Sequence, residues 1–231
     1  MILQQILPSA PPRELLNGDA QGPLIALADH PVWRAALGGE MGKDRLRRLI
    51  LAIYPVMAGP GRYLFSAKVS QISPADGAEL FRQLHQADQE PAADADAGWR
   101  AVGHALGLGD ADFDRVTAEP PAAAADLLET LRGHSLRSAP AVAVAVAWAI
   151  ERQLPRLWGA LADSLAANYD VPEKSLAHLR YHAGRAAEVE DWIEHLLQAY
   201  LDQAEPYEVF EARRAVWEVV WAWTALGESV G

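Results

Sequence analysis

The stretch from Ala139 to Ile150 constrains this chain more than any other. It reads Ala-Pro-Ala-Val-Ala-Val-Ala-Val-Ala-Trp-Ala-Ile, without one polar side chain, and is closed by Glu151 and Arg152. A membrane-spanning helix needs about 20 apolar residues in a row, so this run is a buried core element instead. Its Ala/Val alternation has the period of a strand. Two features nevertheless predict a helix. The apolar pattern continues through Trp148, Leu154, Leu157, Trp158, Leu161 and Leu165 without a turn signal, and no other segment offers a partner strand. Alternating Ala and Val also suits a central helix that neighbours approach closely on all sides. One long helix is expected from Pro140, kinked near Pro155.

The rest of the chain repeats the helical period. Leu46, Leu49, Ile50, Ile53, Tyr54 and Met57 share one face of a helix, with Arg45, Arg47 and Arg48 on the other side. Pro55 and Gly59-Pro60-Gly61 predict a break before Tyr63 to Val69 resumes. Ser73-Pro74 supplies an N-cap and a first helical residue. Gln89 to Ala97 reads as a loop, followed by a helix through Trp99, Val102 and Leu106 that stops at Gly107 and Gly109. A short helix is expected at Asp126 to Leu131, a long one from Val171-Pro172 to Leu201, and a last one from Glu205-Pro206 through Leu226. The expectation is an all-α chain of seven or eight helices in a single domain over residues 1–231, with residues 1–12 flexible.

Charge narrows the function classes. Twenty Lys and Arg against 31 Asp and Glu give a net charge of -11. Phosphate backbones and anionic membranes both call for basic surface, so neither nucleic acid nor a membrane is an expected partner. Cysteine is absent. That excludes disulfides, thiolate metal sites and every cysteine nucleophile. Met1 to Leu7 carries no basic residue and meets Pro8 before a long apolar run, unlike a secretory signal; a cytoplasmic location is expected. No phosphate-binding glycine loop, Gly-x-Ser-x-Gly elbow or His-Glu-x-x-His helix occurs.

What remains is polar chemistry on apolar helices. Glu151 ends three apolar turns and is either a buried, partnered carboxylate or the first exposed residue as the helix leaves the core. His178 and His182 lie one turn apart, on one face, as functional groups or as a merely satisfied pair. Asp88, Glu90, Asp94 and Asp96 form an acidic cluster, or a solvated loop. Trp217, Trp221 and Trp223 at helical spacing belong to the core or to an interface.

These residues fall into a familiar order. His30-Pro31-Val32-Trp33, Leu37-Gly38-Gly39-Glu40 and the helix Leu46 to Tyr54, then Glu151, the Tyr181-His182 helix and the closing Phe210 to Leu226 helix, resemble the heme-oxygenase-like helical superfamily. Its members include thiaminase II (TenA), the pyrroloquinoline quinone synthase PqqC and CADD-type di-iron oxidases. The resemblance implies a heme-oxygenase-like bundle, a homodimer, and an oxidoreductase acting on a small molecule in cofactor or specialised-metabolite biosynthesis. Without cysteine, thiaminase chemistry is excluded. Against the di-iron pattern Glu151 and His182 match ligand positions, and Asp88 with Asp94 or Asp96 falls near two others. Ala186 and Val189 stand where Asp and His would bind. The resemblance therefore implies a reduced metal set of Glu151, His182, Asp88 and Asp96 holding Fe(II) or Mn(II). Its alternative is a metal-free oxidase, with His182, Tyr181, Tyr54 and Arg185, beside His178, as acid–base and orienting groups. Haem degradation would need an axial histidine, for which His30 is the candidate; His30 otherwise simply opens a helix. A different class stays open as well: a non-catalytic ligand-binding or protein-interaction module that keeps the fold and has lost the site.

Overall fold

In the computed structural model, which describes residues 27–59, 63–84 and 91–231, the alanine–valine segment is helical. The helix runs unbroken from Pro140 to Tyr169, with Pro140 in its first turn and Pro155 inside it. Every residue from Ala141 to Glu151 is buried. Ala143, Val144, Ala145, Val146 and Trp148 are wholly so. An amphipathic helix hides one stripe, whereas this one is hidden all round, the expectation for a helix at the centre of a bundle.

Every regular element among the described residues is helical. In chain order the α-helices are α1 (Pro31–Leu37), α2 (Lys43–Met57), α3 (Tyr63–Ser70), α4 (Pro74–Leu84), α5 (Ala95–Ala105), α6 (Asp110–Ala118), α7 (Ala122–Arg137), α8 (Pro140–Tyr169), α9 (Ala177–Gly184), α10 (Ala186–Leu201) and α11 (Pro206–Glu228). Helices α1, α3, α7, α9, α10 and α11 all pack on α8, while α2 packs against α5, α6 and α7. One hydrophobic cluster joins them, from Leu27 to Val230.

The apolar face predicted for α2 is buried throughout, and its arginines take the other side, where Arg47 Nε donates to the Leu106 carbonyl at 2.7 Å. Ser73 caps α4, its hydroxyl accepting from the Asp76 amide. Helix α5 ends in a Schellman turn: Leu108 N donates to the Gly103 carbonyl at 2.9 Å, and Gly107 sits at φ +88, a conformation that costs glycine nothing.

Three expectations need correction. The helices outnumber seven or eight, because α1 and α6 are short and the helix expected from Val171 to Leu201 is divided into α9 and α10. In α6, Phe113 and Val116 are the only buried residues, too few to establish a period. Helix α7 is longer than Asp126 to Leu131, since Ala122 to Ala125 is good helix-forming sequence rather than linker. The long helix expected from Val171 begins with a 3₁₀ turn, Glu173–Leu176, and breaks at Arg185, where φ -101 and ψ 0 follow the weak helix former Gly184. The reading of residues 1–12 lies outside the described residues.

Four tryptophans tie the outer helices to α8. Trp158 on α8 meets Trp99 of α5 at 5.0 Å, Trp223 of α11 at 6.3 Å and Trp33 of α1 at 6.4 Å, all in edge-to-face arrangements. Each such pair contributes about 0.5–1.5 kcal/mol beyond its buried area. Trp158→Ala is expected to cost about 3–5 kcal/mol in urea unfolding followed by circular dichroism. Exposed Tyr207→Ala, by comparison, should cost under about 0.5 kcal/mol.

Candidate functional site

Helix α5 places two sets of polar side chains on different faces. Asp94 caps its first turn, accepting from the Ala97 amide at 3.1 Å, so this aspartate has a structural role. One turn in, Asp96 and Arg100 stand at i and i+4 and join, Arg100 Nε donating to Asp96 Oδ1 at 2.8 Å. Tyr54 of α2 is buried, and its hydroxyl donates to the same carboxylate oxygen. The Arg100 guanidinium lies 5.4 Å over the Tyr54 ring and 5.3 Å over Phe113 of α6. It also reaches Asp114 at 2.9 Å and Asp110 at 3.2 Å.

This network borders a cleft of 370 Å³ between α2, α3, α5, α6 and α7. Tyr54, Asp96, Thr117 and Arg132 supply its polar groups, and Pro55, Leu64 and Leu128 its apolar walls. Mostly apolar lining with a few convergent polar groups is the usual anatomy of a small-molecule site. Burial, reinforced by the hydrogen bond to Asp96, raises the Tyr54 hydroxyl above its ordinary pKa, so the phenol stays protonated. For Asp96, burial acts upward, but the hydrogen bonds from Tyr54 and Arg100 and the arginine charge outweigh it and hold the carboxyl below its ordinary value. The pair is therefore a neutral phenol on an ionised carboxylate.

The other face of α5 meets the histidine helix. Gly98 lies so close to His178 of α9 that a Cβ there would strike the imidazole. His178 Nδ1 sits 2.9 Å from the Ala92 carbonyl. A carbonyl only accepts, so Nδ1 carries a proton. The His178 and His182 rings lie 4.6 Å apart, and His182 is 5.4 Å from the Tyr181 ring. Arg185 Nη1 donates to the Tyr181 hydroxyl at 3.3 Å. A more open hollow of 470 Å³, lined in part by Ala92, Gly98, Lys174 and His178, flanks this helix.

Of the four catalytic candidates, His182, Tyr181 and Arg185 are thus brought together, with His178, while Tyr54 belongs to the cleft across α5. Glu151 is 5% exposed, so the reading of it as the first exposed residue is corrected: the core extends past it. Asp96 is engaged by Tyr54 and Arg100, and Asp88, like Glu90, lies outside the described residues. Among the described residues no three His, Asp or Glu side chains are grouped so as to hold a metal ion. No described helix is long and apolar enough to cross a membrane. His30 stands at the N-cap of α1, its Nε2 3.3 Å from Glu228, as a helix-opening residue does.

The sequence reading missed Arg100, Thr117 and Arg132. Arg100 was within reach, four residues after Asp96 on one helix. Thr117 and Arg132 come from helices that meet only in the fold. Comparison with protein-family models and with curated proteins finds no match to the chain.

The Tyr54–Asp96 pair has a pH signature. Because the folded carboxyl titrates below its unfolded value, its stabilisation is complete above the unfolded pKa and is lost as pH falls through the folded one. Asp96→Asn is expected to lower stability at neutral pH, and the gap to wild type to close as pH drops below about 4. Urea midpoints across pH measure it. The effect is modest, since the Asp96 side chain is 57% exposed.

Proposed function

We propose that this chain is a small-molecule oxidoreductase of the heme-oxygenase-like kind and that the Tyr54 cleft holds its substrate. The supporting observation is the phenol–carboxylate pair, Tyr54 on Asp96, at a mostly apolar cleft lined in part by Arg132, whose guanidinium pairs with Glu129 at 3.2 Å. Apolar walls and one guanidinium suit a small organic molecule with an apolar body and an acidic group. In this reading Arg132 orients the acid. The substrate's proton passes through the Tyr54 hydroxyl and the half-exposed Asp96 carboxylate to solvent, and Arg100 holds the carboxylate in place. The anion left behind gives two electrons to dioxygen, the acceptor implied by the resemblance; with that proton and a second one lost by the substrate, dioxygen leaves as hydrogen peroxide and the substrate as its dehydrogenated product.

A second reading, ligand binding without turnover, is favoured by one specific position. Val189, where the resemblance calls for a histidine ligand, is 5% exposed and serves packing.

An oxygen electrode with product analysis distinguishes the two, using a panel of small apolar organic acids with and without added Fe(II) or Mn(II). The proposal predicts substrate-dependent oxygen uptake with at least one acid, reduced about 10²–10⁴-fold in Tyr54→Phe. Saturable binding of an acid without uptake under any metal condition supports the second reading and contradicts the first.

A further inference from the structure

The polar side chains of the Tyr54 cleft differ in what they leave available to a ligand. A hydroxyl has one hydrogen to donate, and an ionised carboxylate has none. The Tyr54 hydroxyl donates to Asp96. Thr117, on α6, donates to the Phe113 carbonyl one turn back along its own helix, at 2.9 Å. Asp96 is held ionised by Tyr54 and Arg100 and only accepts. All three line the cleft, so toward a ligand they present lone pairs and no hydrogen. Arg132 is the opposite case. Its guanidinium has only N–H groups, and the pairing with Glu129 at 3.2 Å leaves others to donate.

We propose that the molecule held in this cleft carries a hydroxyl besides its acid: the acid lies at Arg132, and the hydroxyl donates into the acceptor set of Tyr54 and Thr117. This rests on the reading of the cleft as the substrate site and narrows the substrate to a small hydroxy acid. A site whose groups are committed as acceptors discriminates against an analogue that lacks the matching hydrogen, because its lone pairs are then left facing an apolar group. An ammonium is the other common donor, but it would need a carboxylate of its own. Asp96, the carboxylate of the lining, is already engaged by Tyr54 and by Arg100 at 2.8 Å. A hydroxyl is neutral and makes no such demand. Bound to the Tyr54 oxygen, it also stands ahead of Tyr54 and Asp96 in the direction in which the proposed reaction moves a proton.

Matched ligands read this out on the purified full chain. Mandelate carries its hydroxyl beside the acid of phenylacetate, and para-hydroxyphenylacetate carries it at the far end of the ring. In α-fluorophenylacetate and para-fluorophenylacetate a small fluorine takes the place of each hydroxyl and brings no hydrogen. Isothermal titration calorimetry is expected to show at least one of the two hydroxy acids binding about 3–10-fold more tightly than phenylacetate, the gain from one neutral hydrogen bond. Its fluoro analogue gains nothing over phenylacetate. Tyr54→Phe or Thr117→Val brings the ratio of hydroxy acid to phenylacetate affinity close to one; Thr117 is exposed, so the valine variant keeps the wild-type circular dichroism. Hydroxy acids that bind no better than phenylacetate or the fluoro acids overturn the inference while the cleft stands as an acid site. A hydroxyl preference that survives both substitutions overturns it too. Absence of saturable binding by all of these acids overturns the reading of the cleft as an acid site, and this inference with it.

Discussion

Neighbouring helices reach the axis of α8 because alternate positions along its first turns carry only a methyl group. Ala141, Ala143, Ala145, Ala147 and Ala149 leave room for close approach, and the valines between them fill the spaces that remain. A helix built this way has little attraction for water on any side, so it is stable only when surrounded. Six other helices surround it. Trp158, two turns past the alanines, then fixes how α1, α5 and α11 lie around the centre. The placement of α5 follows from that contact, and both polar clusters follow from α5.

That dependence explains why the two clusters stand apart. Trp99 turns one face of α5 toward α8 and α9, where Gly98 lets the His178 ring come into contact. Asp96 and Arg100 then point toward α2 and α6, where Tyr54 and Phe113 receive them. The Tyr54 cleft has a neutral hydroxyl and a carboxylate held ionised, with Arg132 among its lining residues. The histidine helix has two imidazoles, a phenol and an arginine. Of the two, the cleft has the more enclosing walls, and it holds the phenol and carboxylate through which the proposed reaction takes a proton from the bound acid.

Much of the fold was legible because burial writes a period into long helices. The faces of α2 and of the later turns of α8 were readable from apolar spacing, and Ser73 and Gly107 from capping chemistry. Short helices were not: α6 buries two residues, and two residues carry no period. The break at Arg185 was hidden because the apolar spacing of α10 continues past it. For the site, Tyr54 and Asp96 were both singled out, but in separate roles, since no spacing in the sequence says that α2 and α5 bring them together. Arg132 lies 78 positions beyond Tyr54 in the numbering, and only the packing of α7 against α2 joins them. Glu151 was correctly marked as unusual, because a carboxylate next to three apolar turns had to be either buried or at the boundary.

The proposed function places this protein's small molecule in the Tyr54 cleft. Native mass spectrometry of the purified chain, incubated with a small-metabolite extract, tests it most directly when Tyr54→Phe, Arg132→Ala and His178→Ala are run beside wild type. The account predicts an adduct of an organic acid on wild type and His178→Ala that is lost or much weakened in Tyr54→Phe and Arg132→Ala. An adduct that survives both cleft substitutions and disappears in His178→Ala would contradict it and move the site to the histidine helix.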